Sequence, residues 1–368
     1  MAVSMLAGCG SSKPAETTAA ATTAAAAETT AAATEAASEA ATEAAAAATD
    51  ADLSDKKVGV CIYQFSDNFM TLFRNELQDY LVSLGFKAEN IEIMDGANDQ
   101  ATQTNQIQNF ITKGVDCLII NPVNSSSAAT ITDMVTAANI PLVYINREPD
   151  AQEEQRWADE NMKVCYVGCD ARQSGTMQGE IAAQVIRTDH SVDRNADGKI
   201  QYVLLEGETG HQDAIIRTDS VVKTLQEQGI TLEKLSYQFA NWNRGQAENK
   251  MTQLIHHYGD EIELVLSNND EMAMGAVAAY EASGYPKENR PVIFGIDGLD
   301  SALDAIQNDL IQGTVYNDRA GQAEQISRLA MDLFQGKEPE GYDFENERYI
   351  FLPYQKVTAA NVEEFLNR

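Results

Sequence analysis

The chain has 368 residues, enough for two domains with sizeable cores, and a formal net charge of −30. With no basic patch to neutralise phosphates, that charge argues against nucleic acid as a partner. There is no uninterrupted apolar run of the roughly 18 residues that would mark a membrane-spanning helix.

The first residues read MAVSMLAGC, and Leu6-Ala7-Gly8-Cys9 fits a bacterial lipobox, in which the cysteine is lipidated. Cys9 is therefore the expected lipidation site, although the basic n-region and most of the apolar h-region of a secretory signal are missing. Residues 1–9 are read as the signal remnant and 10–54 as a tether. Ser11 to Asp52 is an Ala/Thr/Glu tract with no aromatic residue, and it cannot bury enough surface to offset chain entropy. Cys61, Cys117, Cys165 and Cys169 fall in β-like apolar runs and read as small core residues, with no zinc-type spacing.

Folding is expected to begin near Lys56. KKVGVCIY (56–63) reads as a strand, followed by a helix over 68–84, a strand over 91–94, a helix over 100–113, the strand DCLII (116–120), a helix over 128–138 and PLVYI (141–145). The rhythm then repeats. It runs KVCYVG (163–168), a helix (172–186), IQYVLLEG (200–207), a helix to 228, a strand near 235–239, a helix (245–258), ELVLS (263–267), a helix (271–283) and PVIFGID (291–297). GTVYN (313–317), a helix over 323–334 and YIFLP (349–353) follow. Strands of near-continuous Val/Ile/Leu alternating with amphipathic helices mean parallel sheets covered on both faces. The expected fold is α/β, two doubly wound Rossmann-like lobes joined by three hinge crossovers. Residues 55–140 and 318–352 are assigned to the first lobe, and 141–317 and 353–368 to the second.

The stretch Gly207–Arg217, GETGHQDAIIR, leaves a strand and opens a helix, bringing His211, Asp213 and Arg217 together near a sheet edge. Polar residues recur at other strand ends: Asp67 and Phe69, Asn121, Trp242, Asn269, Asp297 and Asn317. Each alone reads more readily as a helix cap or turn residue than as a ligand contact. Together they sit where open α/β sheets bind ligands, and the mix of carboxylates, amides, one arginine and two aromatics suits a neutral polyol. No phosphate loop of the G-x-x-x-x-G-K-[ST] type is present, so a nucleotide is not indicated.

Asp193-Arg194-Asn195-Ala196-Asp197-Gly198-Lys199-Ile200-Gln201 places oxygen side chains at loop positions 1, 3, 5 and 9, with glycine at 6. Calcium favours such hard oxygens with a carbonyl from position 7, here Lys199. Position 12 is Leu204, where an EF-hand has a glutamate, so a carboxylate must arrive from elsewhere. An Asx-rich loop without metal is the alternative.

YQFSDNFM, GANDQATQTNQI, LLEGETGHQDAIIRT, DRNADGKIQ, SNNDEMAMGAV, FGIDGLDSAL and GTVYND resemble segments of the galactose/glucose-binding proteins of ABC sugar importers, from about Lys56 to the C-terminus. The resemblance implies two lobes closing on one sugar, with no catalysis. It implies that Phe69 and Trp242 sandwich the pyranose and that Asp67 reads the O4 hydroxyl in either epimer. Asp213 and Arg217 would hold the anomeric end, and Asn121, His211, Asn269, Asp297 and Asn317 the other hydroxyls. It further implies one structural calcium on Asp193, Asn195, Asp197, Gln201 and the Lys199 carbonyl, with Glu263 as the remaining carboxylate. D-galactose or D-glucose, an ABC permease and a monomeric state follow, and the membrane is touched only through the lipid anchor at its outer face. Rival readings are a binder of another pentose, hexose or inositol, and the sensing half of a transcription repressor. An enzyme using His211 and Asp213 as an acid–base pair is a third.

Overall fold

The alternation of apolar runs and amphipathic helices becomes two six-stranded sheets in the computed structural model, which describes residues 52–337, 341–345 and 348–366. The lipobox with Cys9, and the tether up to residue 51, lie outside the described residues. From Leu53 on the chain forms one compact unit, and Leu53 itself is 3% exposed, so the fold starts just before the expected end of the tether at 54.

The strands are β1 (Val58–Ile62), β2 (Ile91–Asp95), β3 (Cys117–Ile120), β4 (Leu142–Ile145), β5 (Val164–Gly168), β6 (Ile200–Glu206), β7 (Leu232–Phe239), β8 (Leu264–Ser267), β9 (Val292–Phe294), β10 (Gly313–Tyr316), β11 (Tyr349–Phe351) and β12 (Gln355–Thr358). The first sheet runs β11-β5-β4-β3-β1-β2 and the second β12-β10-β9-β8-β6-β7. All pairings are parallel except β10 with β12. Alternation along β6 explains the double cover. Val203 and Leu205 face one core cluster of the second lobe, and Tyr202 and Leu204 the other.

The chain crosses between lobes three times, after β5, after β10 and after β11, as the expected architecture requires. The Leu352 amide donates to the Gly168 carbonyl at 2.8 Å and Cys169 Sγ to Asn317 Oδ1 at 3.3 Å, so the crossovers are bonded to one another. One boundary is corrected. Leu142–Ile145 pairs with β3 on one side and β5 on the other, which places residues 141–168 in the first lobe rather than the second. Three elements escaped the sequence reading: helices Ala151–Asp159 and Asp300–Gln307, and β12. The first is short and rich in Glu and Gln, yet its Trp157 is fully buried and stacks on Tyr144 with ring centroids 5.4 Å apart. Asp150 caps that helix by accepting from Gln152 N and Glu153 N, and the one aromatic docks it, with too few apolar positions to show a periodic stripe in the sequence.

The helices Ala171–Thr188 and Gln212–Glu227 lie in close contact because Gly175 has no side chain. A Cβ there would come within 2.6 Å of the Arg217 carbonyl oxygen. That approach fixes the backbone from which Arg217 projects.

A candidate ligand cavity between the lobes

Helix N-termini and strand ends from both lobes converge on one small cavity. Nine of the ten expected ligand residues line it: Asp67, Phe69, His211, Asp213, Arg217, Trp242, Asn269, Asp297 and Asn317. The tenth does not. Asn121 is wholly buried beneath the cavity, where its Oδ1 accepts from the Tyr63 amide at 3.2 Å and its Nδ2 donates to Ile145 O and Asn146 Oδ1. It buttresses Asn146, which lines the cavity in its place together with Tyr63, Met70 and Arg147. Asn146 ends β4 just as Asn121 ends β3. The same strand-end rule would have selected both, and only tertiary packing tells the inward amide from the cavity amide.

Several of these residues do structural and site duty at once. Asp67 caps the helix Asn68–Ser83 by accepting from Met70 N at 2.9 Å, and its second oxygen accepts from Tyr63 Oη at 2.6 Å. His211 caps the helix Gln212–Glu227, its Nδ1 accepting from Asp213 N at 3.1 Å, and Asn269 caps Asp270–Ala282. The acceptor role of Nδ1 puts the imidazole proton on Nε2.

Backbone strain collects here. Asn146, Trp242 and Asp297 hold φ of 62°, 59° and 125°, a region that side chains other than glycine rarely occupy. Gly207 admits the Trp242 indole, since a Cβ at that position would run into the ring. The His211 ring meets the indole edge-on, with centroids 5.1 Å apart.

The electrostatics are set by burial. It pushes the carboxyls of Asp67 and Asp213 up and that of Asp297 well up, against the pull of Arg217 on Asp213 and Asp297. Burial, with the charges of Arg147 and Arg217, drives the His211 imidazole well below its usual range, so it is neutral at pH 7. Burial works against the Arg217 charge, but Tyr354, Asp297 and Asp213 hold its proton. Arg217 donates to Asn268 O and Tyr354 Oη, both at 2.9 Å, and approaches Asp297 at 3.9 Å. The buried Nε atoms of Arg147 and Arg217, both cavity residues, have no protein partner. A buried donor without a partner is costly, and a hydroxylated ligand would satisfy it.

The Asp193–Gln201 loop folds on itself through its oxygens. Asp193 accepts from Asp197 N at 3.2 Å and Gly198 N at 2.9 Å, and Asn195 Oδ1 from Asp197 N at 2.8 Å. Glu263 is brought to this loop from the start of β8, its two oxygens accepting from Arg194 N at 2.7 Å and Gln201 N at 3.0 Å. The donor set of hard carboxylate and amide oxygens around one glycine turn fits calcium. Among the described residues no three Cys, His, Asp or Glu side chains cluster as a metal site, so Asp193, Asp197 and Glu263 do not converge on one point in this conformation, and a metal would have to draw them together with Asn195, Gln201 and the Lys199 carbonyl. Gln201 currently turns its amide nitrogen toward Asp197 Oδ2 at 3.0 Å, and a half-turn of that amide would present oxygen instead.

Residues 58–338 match the family model described as periplasmic binding protein domain. The chain belongs to this family of two-lobed binding proteins. It is 36% identical over 316 residues to the D-galactose/methyl-galactoside binding periplasmic protein of Haemophilus influenzae, covering 85% of this chain and 92% of that one. It is 35% identical to a Rhizobium meliloti protein described as rhizopine-binding, over 84% of this chain and 92% of the relative. Among solved structures, an ABC transporter solute-binding protein from Bacillus halodurans with bound myo-inositol superposes with a TM-score of 0.71 at 30% identity. That match covers 86% of this chain and 99% of the other. Proteins of this family work outside the cytoplasm, and no helix among the described residues is long and apolar enough to cross a membrane.

Proposed function

We propose that this protein captures D-galactose or D-glucose between its lobes and delivers it to an ABC transporter permease from a lipid anchor at Cys9. The observation that supports this reading most is the composition of one cavity wall by both lobes: Asp67 and Phe69 from the first, Asp213, Arg217 and Trp242 from the second. A neutral hexose answers each group. Ring hydroxyls bridge the carboxylates and the unpartnered guanidinium nitrogens, and the apolar sugar faces lie against Phe69 and Trp242. Closure is favoured only by a ligand that touches both lobes, which gives selection by population shift. The test is a sugar panel by calorimetry and thermal shift. D-glucose and D-galactose should each raise the melting temperature, by mass action worth about 2.7 kcal/mol at a hundredfold excess over Kd, and ribose far less. No shift with either hexose overturns the reading.

The myo-inositol in the Bacillus halodurans structure favours a second reading, a cyclic polyol without an anomeric centre. Tighter binding of myo-inositol than of either hexose in the same panel would select it. The acid–base enzyme reading has less support, because His211 uses Nδ1 to cap a helix and is held neutral.

Acid should weaken capture. The carboxyls of Asp67, Asp213 and Asp297, raised by burial, take up protons at a higher pH than ordinary carboxyls, and each then loses acceptor capacity toward a hydroxyl. For folding the sign is opposite through these three groups. A carboxyl whose folded pKa exceeds its unfolded value favours the folded state as pH falls. Calorimetry as the pH is lowered stepwise from 7 should therefore show Kd rising while the ligand-free melting temperature does not fall in step. A flat Kd would remove the carboxylates from the account.

We also propose that one calcium joins the Asp193–Gln201 loop to Glu263, with Asp193, Asn195, Asp197, Gln201 and the Lys199 carbonyl as the other ligands. The ion would neutralise carboxylates and tie β6 to β8 at the end away from the cavity. Chelation should lower the melting temperature and added calcium restore it; an unchanged melt removes the ion.

A further inference from the structure

Capture by two lobes needs contacts that exist only when the lobes meet. Glu208 follows β6 in the second lobe, outside the cavity lining, and accepts twice from the first lobe: from Arg147 Nη2 at 2.8 Å and from Asn98 Nδ2 at 3.2 Å. The ion pair is shielded, with side-chain exposures of 6% for Arg147 and 17% for Glu208. Arg147 is held on its other side by the Val123 carbonyl at 2.6 Å, and its guanidinium lies 3.8 Å from the Tyr63 ring centre. Tyr63 Oη in turn donates to Asp67 Oδ2 at 2.6 Å. One continuous set of contacts thus runs from the second lobe across the cleft to Asp67. Arg147 also borders a neighbouring groove edged by Glu208, Thr209 and Gln212, so its guanidinium forms part of the wall between cavity and groove.

We propose that Glu208 is a closing latch. It is a positioning residue that never touches the ligand, draws Arg147 across the cleft mouth, and sets how long the lobes stay shut. In the open state both charges return to water and the pair contributes nothing. Its whole effect therefore falls on the closed state, and on the dissociation rate in particular. A shielded pair has leverage that an exposed one lacks. Two other cross-lobe contacts, Asn68 Nδ2 to Glu271 Oε1 at 3.1 Å and Gln212 Nε2 to Glu148 Oε2 at 3.3 Å, each set a neutral amide against a carboxylate and are weaker holds.

The choice of probe rests on the hexose reading, and the test separates the two claims. Glu208→Ala and Glu208→Gln are compared with the wild-type chain in equilibrium and stopped-flow binding of D-glucose and D-galactose, and in small-angle scattering without sugar. Glu208→Ala should raise Kd for both hexoses by the same factor, on the order of tenfold, through faster dissociation, and Glu208→Gln by less. The glucose-to-galactose ratio and the ligand-free melting temperature should not move. A changed ratio would make Glu208 a sugar-reading residue, and a lowered ligand-free melt in both variants would make it a structural one; either overturns the latch. So does an unchanged Kd together with superimposable scattering. If wild-type protein binds neither hexose, the sugar reading falls and scattering alone judges the latch. A larger radius of gyration in Glu208→Ala then supports it, and identical curves overturn it.

Discussion

Replacing Arg217 with methionine is expected to weaken D-glucose binding by two orders of magnitude or more and to lower the melting temperature. Arg217 is 5% exposed and bonds Asn268 O and Tyr354 Oη while facing Asp297 and Asp213. Removing one partner from such a buried set leaves uncompensated charge that typically costs about 3–5 kcal/mol of folding stability. Truncating a buried charged partner at a binding site typically costs about 2–5 kcal/mol of binding, of which about 3 kcal/mol is over a hundredfold in Kd. Arg217→Lys should rescue little. An ammonium cannot reproduce two donors held at fixed angles toward Asn268 and Tyr354. Calorimetry on both variants, with circular dichroism to establish that they fold, decides the matter. A lysine variant binding like wild type would show that charge alone, without the fork, is what the cavity uses.

Trp242→Ala is expected to raise Kd by about thirtyfold, or about 2 kcal/mol, for both hexoses, while Trp242→Phe loses far less. Trp242 is held in a left-handed conformation beside Gly207, edge-on to His211, at the end of the second lobe's wall. The site is therefore pre-shaped for a flat aromatic, and the loss should come from the uncovered sugar face. Binding of the alanine variant should also show a less negative heat-capacity change, since less apolar surface is buried. A Kd within twofold of wild type for Trp242→Ala would remove the aromatic cover from the mechanism.

Part of the residue list was legible because the two readings of each strand-end residue coincide. Asp67, His211 and Asn269 are helix caps and cavity residues simultaneously, for one physical reason. In a parallel sheet the strands' C-terminal ends and the following helix N-termini face the same edge, so a cap points where a ligand sits. Asn146 and Arg147 were not legible. Both follow a strand, but nothing local distinguishes Asn146 from Asn121, and Arg147 gains its place through Val123 and Tyr63 of one lobe and Glu208 of the other.

The sequence by itself determined the α/β class, two repeated strand–helix sets, most element bounds and nine of the cavity residues, because these depend on periodicity and caps within a few residues of chain. Tertiary structure alone decided that β4 and β5 belong to the first lobe, through in-register pairing with β3 and each other, and that Trp157 docks a short, mostly polar helix onto it. It also decided that Asn121 faces inward while Asn146 reaches the cavity, and that Glu263 meets a loop some seventy positions earlier. Each of these turns on contacts between residues distant in the chain, where burial and hydrogen-bond satisfaction outweigh any local signal.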